Sequence, residues 1–331
     1  MAADARRFTP ILLIAFAASA QSWIPQESGT TASLRGVSAV DSKTVWASGT
    51  KGAYLRTTDG GATWHAATVP GAADLDFRAI RAFDEKTAIV LSAGPGEKSR
   101  VYKIAGDQAR LVFTNPDPKG FFDGLTFWDA SHGILIGDPV DGRFVIFTTA
   151  DGGESWKRQK GPSALANEGA FAASNTCLIV RGAREAWFGT GGARVFHSLD
   201  GGETWSVART AMPSGQSAGI FSLAFSDGRH GIAVGGDYTK PKEAAPVAIT
   251  NDGGKSWSAG GSTSGYRSGV AYFADQKMWI AVGTSGSDVS VDDGRTWKSF
   301  DSGDYNALTV AVGGAWVVGP RGATAKFKPG E

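Results

Sequence analysis

Cysteine is almost absent. Cys177 is the single one in 331 residues, which excludes an intrachain disulfide framework and a cysteine-rich metal site. Neither sign of charge is in excess: 33 Lys and Arg face 32 Asp and Glu, a formal net charge of +1, which argues against the basic stripe of a nucleic-acid binder. Histidine is scarce. Of the four, His132 and His230 sit in matching turns, each followed by Gly and Ile, and that repetition points to a turn role and not to a shared metal. No Gly-x-Gly-x-x-Gly fingerprint opens a helix, so no nicotinamide or flavin site of the usual type is expected. Gly215-Gln216-Ser217-Ala218-Gly219 has nucleophile-elbow spacing, but a loop precedes it and a strand follows. Gly254-Lys255-Ser256 ends like a phosphate loop, yet Ile249 stands where the leading Gly belongs. The expectation is no metal and no cofactor. Long apolar runs are lacking beyond the N-terminus. There, Arg6 and Arg7 precede the apolar run 11–18, and Ala18-Ser19-Ala20 offers small residues for cleavage before Gln21. Residues 1–20 therefore read as a secretory signal peptide, and the mature chain as exported, periplasmic or extracellular, with no membrane span.

What is present in excess is glycine, 46 residues or about twice the usual share, together with 11 Trp and 18 Phe. A hydrophobic share of 42% is enough for a core and excludes a disordered chain. Many short strands and tight turns suit this composition. One segment recurs five times: Thr57 to Trp64, Thr149 to Trp156, Ser198 to Trp205, Thr250 to Trp257 and Ser290 to Trp297. The shared pattern is Ser/Thr-x-Asp-x-Gly-x-Ser/Thr-Trp. The carboxylates of Asp59, Asp151, Asp200, Asp252 and Asp292 can accept backbone N–H groups of their own turns, and the Gly supplies a positive φ. Trp64, Trp156, Trp205, Trp257 and Trp297 are expected to return to the core as plugs.

Successive Trp residues of this pattern lie 92, 49, 52 and 40 residues apart, so the first gap spans two units, one of which has lost its turn motif near 101–112. Upstream strands such as Val45-Trp46-Ala47-Ser48-Gly49, Met278-Trp279-Ile280-Ala281-Val282-Gly283 and Ala315-Trp316-Val317-Val318-Gly319 recur as well. Counting first strands, near Leu34, Phe77, Phe122, Glu168, Phe221, Ser268 and Ala307, gives seven units of about 44 residues, the size of a propeller blade. The last unit is one strand short, and Ser22-Trp23-Ile24 is free to supply it. The expectation is all-β: residues 21–331 form a single seven-bladed propeller of four-stranded antiparallel blades, closed by the N-terminal strand, and monomeric.

The five segments resemble Asp-box repeats, also called bacterial neuraminidase repeats. The single seven-unit chain with Leu34-Arg35-Gly36-Val37 and Val45-Trp46-Ala47-Ser48-Gly49 is similar to the photosystem II stability/assembly factor family. That resemblance implies a non-enzymatic lumenal or periplasmic propeller that binds partner proteins. The first-strand starts gather at one channel mouth, opposite the five turns, and bring Arg35, Arg78, Asp123, Glu168, Arg267 and Asn306 there. Loops after the second strands add Asp138, Asp141, Arg143, Tyr238, Lys240 and Lys242, with 236–246 as the longest. This mouth is the expected protein-binding surface, since Arg pairs bidentately with carboxylates. The alternative is a sialidase-like glycoside hydrolase acting on a glycan with Arg35, Arg78 and Arg267 on the substrate carboxylate, Tyr266 or Tyr305 as nucleophile, and Glu168 and Asp123 as acids.

Overall fold

The computed structural model describes residues 21–330, and the expected export segment 1–20 lies outside them. Seven four-stranded antiparallel sheets follow one another along the chain. Leu34–Ala39, Val45–Gly49, Ala53–Thr57 and His65–Thr68 build the first, paired in chain order. The first strands of successive sheets are Leu34–Ala39, Phe77–Ala82, Phe122–Phe127, Leu178–Arg181, Ala218–Phe225, Gly269–Phe273 and Ala307–Ala311. Each lies against the first strands of its two neighbours, and the seventh meets the first. The molecule is a closed seven-bladed propeller with these strands innermost.

Blades must bury both faces, and the core is accordingly divided into seven clusters, one at each junction between neighbours. Trp46, Trp187, Trp279 and Trp316, all on second strands, are its largest fully buried side chains. Their indole N–H groups are satisfied. Trp46 donates to Asp84 O at 3.0 Å, Trp187 to Gly253 O at 3.0 Å and Trp316 to Gly60 O at 3.1 Å, each in the following blade.

The five Ser/Thr-x-Asp turns share one hydrogen-bond pattern. In the first, the Thr57 hydroxyl accepts Gly61 N–H at 2.9 Å and donates to Asp59 at 2.7 Å. Asp59 in turn accepts the backbone N–H and the hydroxyl of Thr63, at 2.9 and 2.6 Å. The same contacts hold Asp151, Asp200, Asp252 and Asp292. Hydrogen bonds from Ser155, then Thr149, hold the Asp151 carboxyl down to about 2. Gly60 and Gly61 both have positive φ, 75° and 92°, and in the fifth turn Asp293 takes the first of these positions at φ 56°.

The tryptophans that follow these turns differ from the expectation. Trp64 is buried, but Trp156, Trp205, Trp257 and Trp297 are only half-buried. Each covers the outer end of the junction with the preceding blade, because it opens an outermost strand whose far side meets solvent. Trp187→Ala is therefore expected to cost about 3–5 kcal/mol and Trp156→Ala roughly half of that, measured by denaturant melts. Equal losses would contradict this ordering of the two layers.

Two units lack the turn for separate reasons. In the second blade Ala105 pairs directly with Gln108 across Gly106, at φ 61°, and Asp107, a two-residue hairpin. In the seventh, the third strand Thr324–Lys328 pairs with Ser22–Gln26, so no turn joins them. One boundary is corrected. The fourth blade's first strand is Leu178–Arg181, and Glu168 lies in the long loop before it. The stretch Asn167-Glu168-Gly169-Ala170-Phe171-Ala172-Ala173 has no β-branched residue to favour a strand.

Candidate functional site

The inner strands begin irregularly. Pairing with the second strand slips by one residue between Leu34 and Gly36, Phe77 and Ala79, Phe122 and Gly124, and Ile220 and Ser222. The extra residues are Arg35, Arg78, Asp123 and Phe221. A bulge of this kind re-aims its side chain. In the sixth and seventh blades Ser268 and Asn306 hold the same place, donating their N–H groups to Val282 O and Val318 O at 2.8 Å. All six line one cavity of ≈ 970 Å³ at the channel mouth.

The loop spanning 164–173 forms one side of this cavity, Asp138 enters from near the end of the second strand Gly133–Val140, and Tyr238 and Thr284 enter from just beyond theirs. Its aromatic wall is continuous: Phe171 stacks on Phe221 at 3.7 Å between centroids, and Tyr266 and Tyr238 meet Phe221 edge-on at 4.8 and 6.2 Å. Beside it stand the arginines. Arg78 donates to Asp76 at 2.7 Å and to Ala172 O at 3.2 Å. Arg35 Nε is buried without a partner. Burial, and then Arg78, lower the Arg35 pKa.

The carboxyls respond to burial as well. Asp123 is 1% exposed, and Oδ2 has no partner. Burial, reinforced by the neighbouring Asp138, pushes its pKa well above the usual carboxylate range, against the opposing pull of Arg78. Burial also raises Asp138, which accepts Ala170 N–H at 3.0 Å. A carboxyl raised in this way keeps its proton to higher pH and can donate a hydrogen bond. Glu168 is different: burial raises it, but Arg194, Leu165 and Thr190 outweigh that and hold it below its ordinary value. Arg194 Nε reaches Glu168 at 2.9 Å, so this carboxylate is already compensated. The lining groups left without a partner are Arg35 Nε and Asp123 Oδ2.

Of the expected mouth residues, Arg35, Arg78, Asp123, Asp138, Glu168, Tyr238 and Asn306 line the cavity, whereas Arg143, Lys240 and Arg267 do not. Arg143 is exposed and donates to Gly161 O at 3.0 Å, and Lys240 pairs with Glu243 at 3.5 Å. The 236–246 loop is tied to the chain before the sixth blade at one point, where Pro241 O accepts Tyr266 N–H at 3.0 Å. Arg267 is one residue out of frame. It occupies the position of Leu34 and Tyr305: each donates its N–H to a glycine carbonyl at or near the end of the preceding blade's second strand, Gly235, Gly319 and Gly283 respectively. Its side chain consequently enters the blade. It is 0% exposed and binds Asp288 at 2.6 Å. The arginine triad of a sialidase-like site is therefore not assembled, because only Arg35 and Arg78 face the cavity.

Sequence reasoning missed Phe171 and the wall it makes with Phe221. It also missed a second cavity of ≈ 710 Å³ on the outer side, lined by Trp128, His132, Trp156, Lys157 and Arg184. There His132 is on Asp129 at 2.9 Å and Arg184 on Glu203 at 2.8 Å. The mouth, with the partnerless Arg35 Nε and Asp123 Oδ2, is the stronger candidate.

Fold and cavity together define a single-ring seven-bladed propeller with an open channel mouth lined by charged and aromatic side chains. No protein-family model and no curated protein matches the sequence. Solved structures do match in fold. YCF48 bound to D1 peptide superposes with a TM-score of 0.66 at 16% identity, covering 93% of this chain and 97% of that one. YCF48 from Cyanidioschyzon merolae gives 0.63 at 18%, covering 93% and 99%. U3-55K gives 0.65 at 12%, covering 93% and 98%.

Proposed function

We propose that this chain is a protein-binding propeller that takes an acidic polypeptide segment into the channel-mouth cavity, acting as an exported, assembly-factor-like module. The observation that carries this reading is the cavity itself: Arg35, whose Nε has no partner, and Arg78 line it together with an aromatic wall. The fold likeness to a YCF48 propeller bound to a D1 peptide supports it. Arg35 and Arg78 would engage carboxylates, Asp123 would donate to a further acceptor at pH values where it keeps its proton, and Phe171, Phe221 and Tyr238 would pack the apolar side chains between.

The test uses arrayed acidic peptides and their Gln/Asn counterparts. Arg35→Gln with Arg78→Gln is expected to weaken binding by about 1–3 kcal/mol per desolvated contact while leaving the melting temperature nearly unchanged. Binding should also fall as pH rises through the elevated Asp123 pKa, since deprotonation replaces a donor with a negative charge. Undiminished binding by the double variant would overturn the reading.

A further inference from the structure

The opposite, turn-side end of the channel holds a cationic feature. A cavity of ≈ 390 Å³ lies among the first strands there, lined by Arg81, Arg181, Thr126, Asn175 and Thr309 among others. No carboxylate lines it among the described residues. Arg81 comes from the second inner strand, half-buried, with Nε removed from solvent and without a partner. Burial alone lowers its pKa, whereas burial of Arg267 is opposed by Asp288 and burial of Arg35 by Asp76 and Asp304.

The neighbouring groups are donors. The Asn175 carbonyl oxygen is taken by Leu125 N–H at 2.9 Å, which leaves its amide N–H groups free. Thr309 Oγ1 accepts Ala39 N–H at 3.1 Å, so its own hydrogen is free as well. A guanidinium carried into a channel without a counter-charge costs stability unless something compensates it. Donors from several blades line this one cavity with no carboxylate among them, and such a set is complementary to one anionic group.

We propose that this end of the channel is a binding site for a tetrahedral oxyanion, free phosphate or a phosphate ester, held by Arg81 with Asn175 and Thr309. Guanidinium forks bind such oxygens with paired, charge-assisted hydrogen bonds. The site is separate from the mouth and does not depend on the reading given for it.

Calorimetric titration of the full chain with inorganic phosphate, at ionic strength held constant with sodium chloride, tests this. One saturable event is expected. Arg81→Gln should weaken it by about tenfold or more, the loss of one charge-assisted contact. Arg81→Lys should recover part of the affinity. Arg35→Gln with Arg78→Gln should leave it unchanged, which separates the site from the mouth. Without phosphate, Arg81→Gln should melt no lower than the parent, because an uncompensated cation has been removed. Tighter binding of phenyl phosphate than of inorganic phosphate supports the site and assigns it to an ester, and the reverse order supports it and assigns it to the free ion. Absence of saturable binding, or binding lost with the mouth pair but untouched in Arg81→Gln, overturns the proposal.

Discussion

Arg267→Ala is expected to destabilise the protein by about 3–5 kcal/mol, although the sequence offers this arginine as a surface ligand. Its guanidinium is fully enclosed, with Nε on Asp288 at 2.6 Å, one terminal nitrogen on Tyr266 O at 2.8 Å and the other on Ser264 Oγ at 2.6 Å. Truncation strands Asp288, which is 1% exposed and whose Oδ1 already lacks a partner. The penalty belongs to that orphaned carboxylate more than to the lost pair. A double change, Arg267→Met with Asp288→Leu, should therefore recover most of the loss, since apolar replacements of a buried pair are often neutral. Chemical denaturation of the three variants checks this. A mild loss in Arg267→Ala would mean that the arginine is wet and belongs at the mouth after all.

The other large effect is expected at the ring closure. Deleting 21–28 should abolish a stable monomeric fold and lead to aggregation. Ser22–Gln26 completes the seventh blade in register, Trp23 opposite Phe327, but its reach is wider than one blade. Trp23 packs against Phe300 of the sixth blade at 5.9 Å and donates to Ser287 Oγ at 2.9 Å. Gln26 donates to Gly60 O at 3.1 Å and accepts from Trp64 Nε1 at 3.2 Å, both in the first blade. Removal would open an unpaired strand edge and unplug two junctions together. Light scattering and a thermal melt of the truncated chain report the outcome, and an unchanged melt with a monodisperse particle would contradict the role assigned to this strand.

The blades were legible because their turns are chemically exacting. A Ser/Thr, an Asp, a glycine and a Trp at fixed offsets have few other uses, and five repetitions remove ambiguity. The missing fourth strand was legible from counting alone. The entry to each blade was not, because a one-residue bulge leaves no trace in composition. A signal did exist: Leu34-Arg35-Gly36, Phe77-Arg78-Ala79 and Phe122-Asp123-Gly124 each set a polar residue between an apolar and a small one. Aligning Gly269 with Gly36 would have put Ser268, not Arg267, at the mouth. Glu168 was misplaced for a different reason. Its loop is made of small residues that read as a weak strand, and its partner Arg194 comes from 26 residues further along the chain. The aromatic wall depends on Phe171 and Phe221 meeting across two blades, a contact that no local pattern encodes.

The central claim is that a polypeptide binds at the channel mouth and not on the face carrying the five turns. Site-specific photo-crosslinking tests it most directly, with a photoreactive residue placed at Tyr238, 50% exposed beside the cavity, or at Leu199, 70% exposed on the turn face. The account predicts that an acidic peptide crosslinks at 238, that this is lost in the Arg35→Gln with Arg78→Gln background, and that position 199 stays silent. Crosslinking at 199 with none at 238 would contradict it.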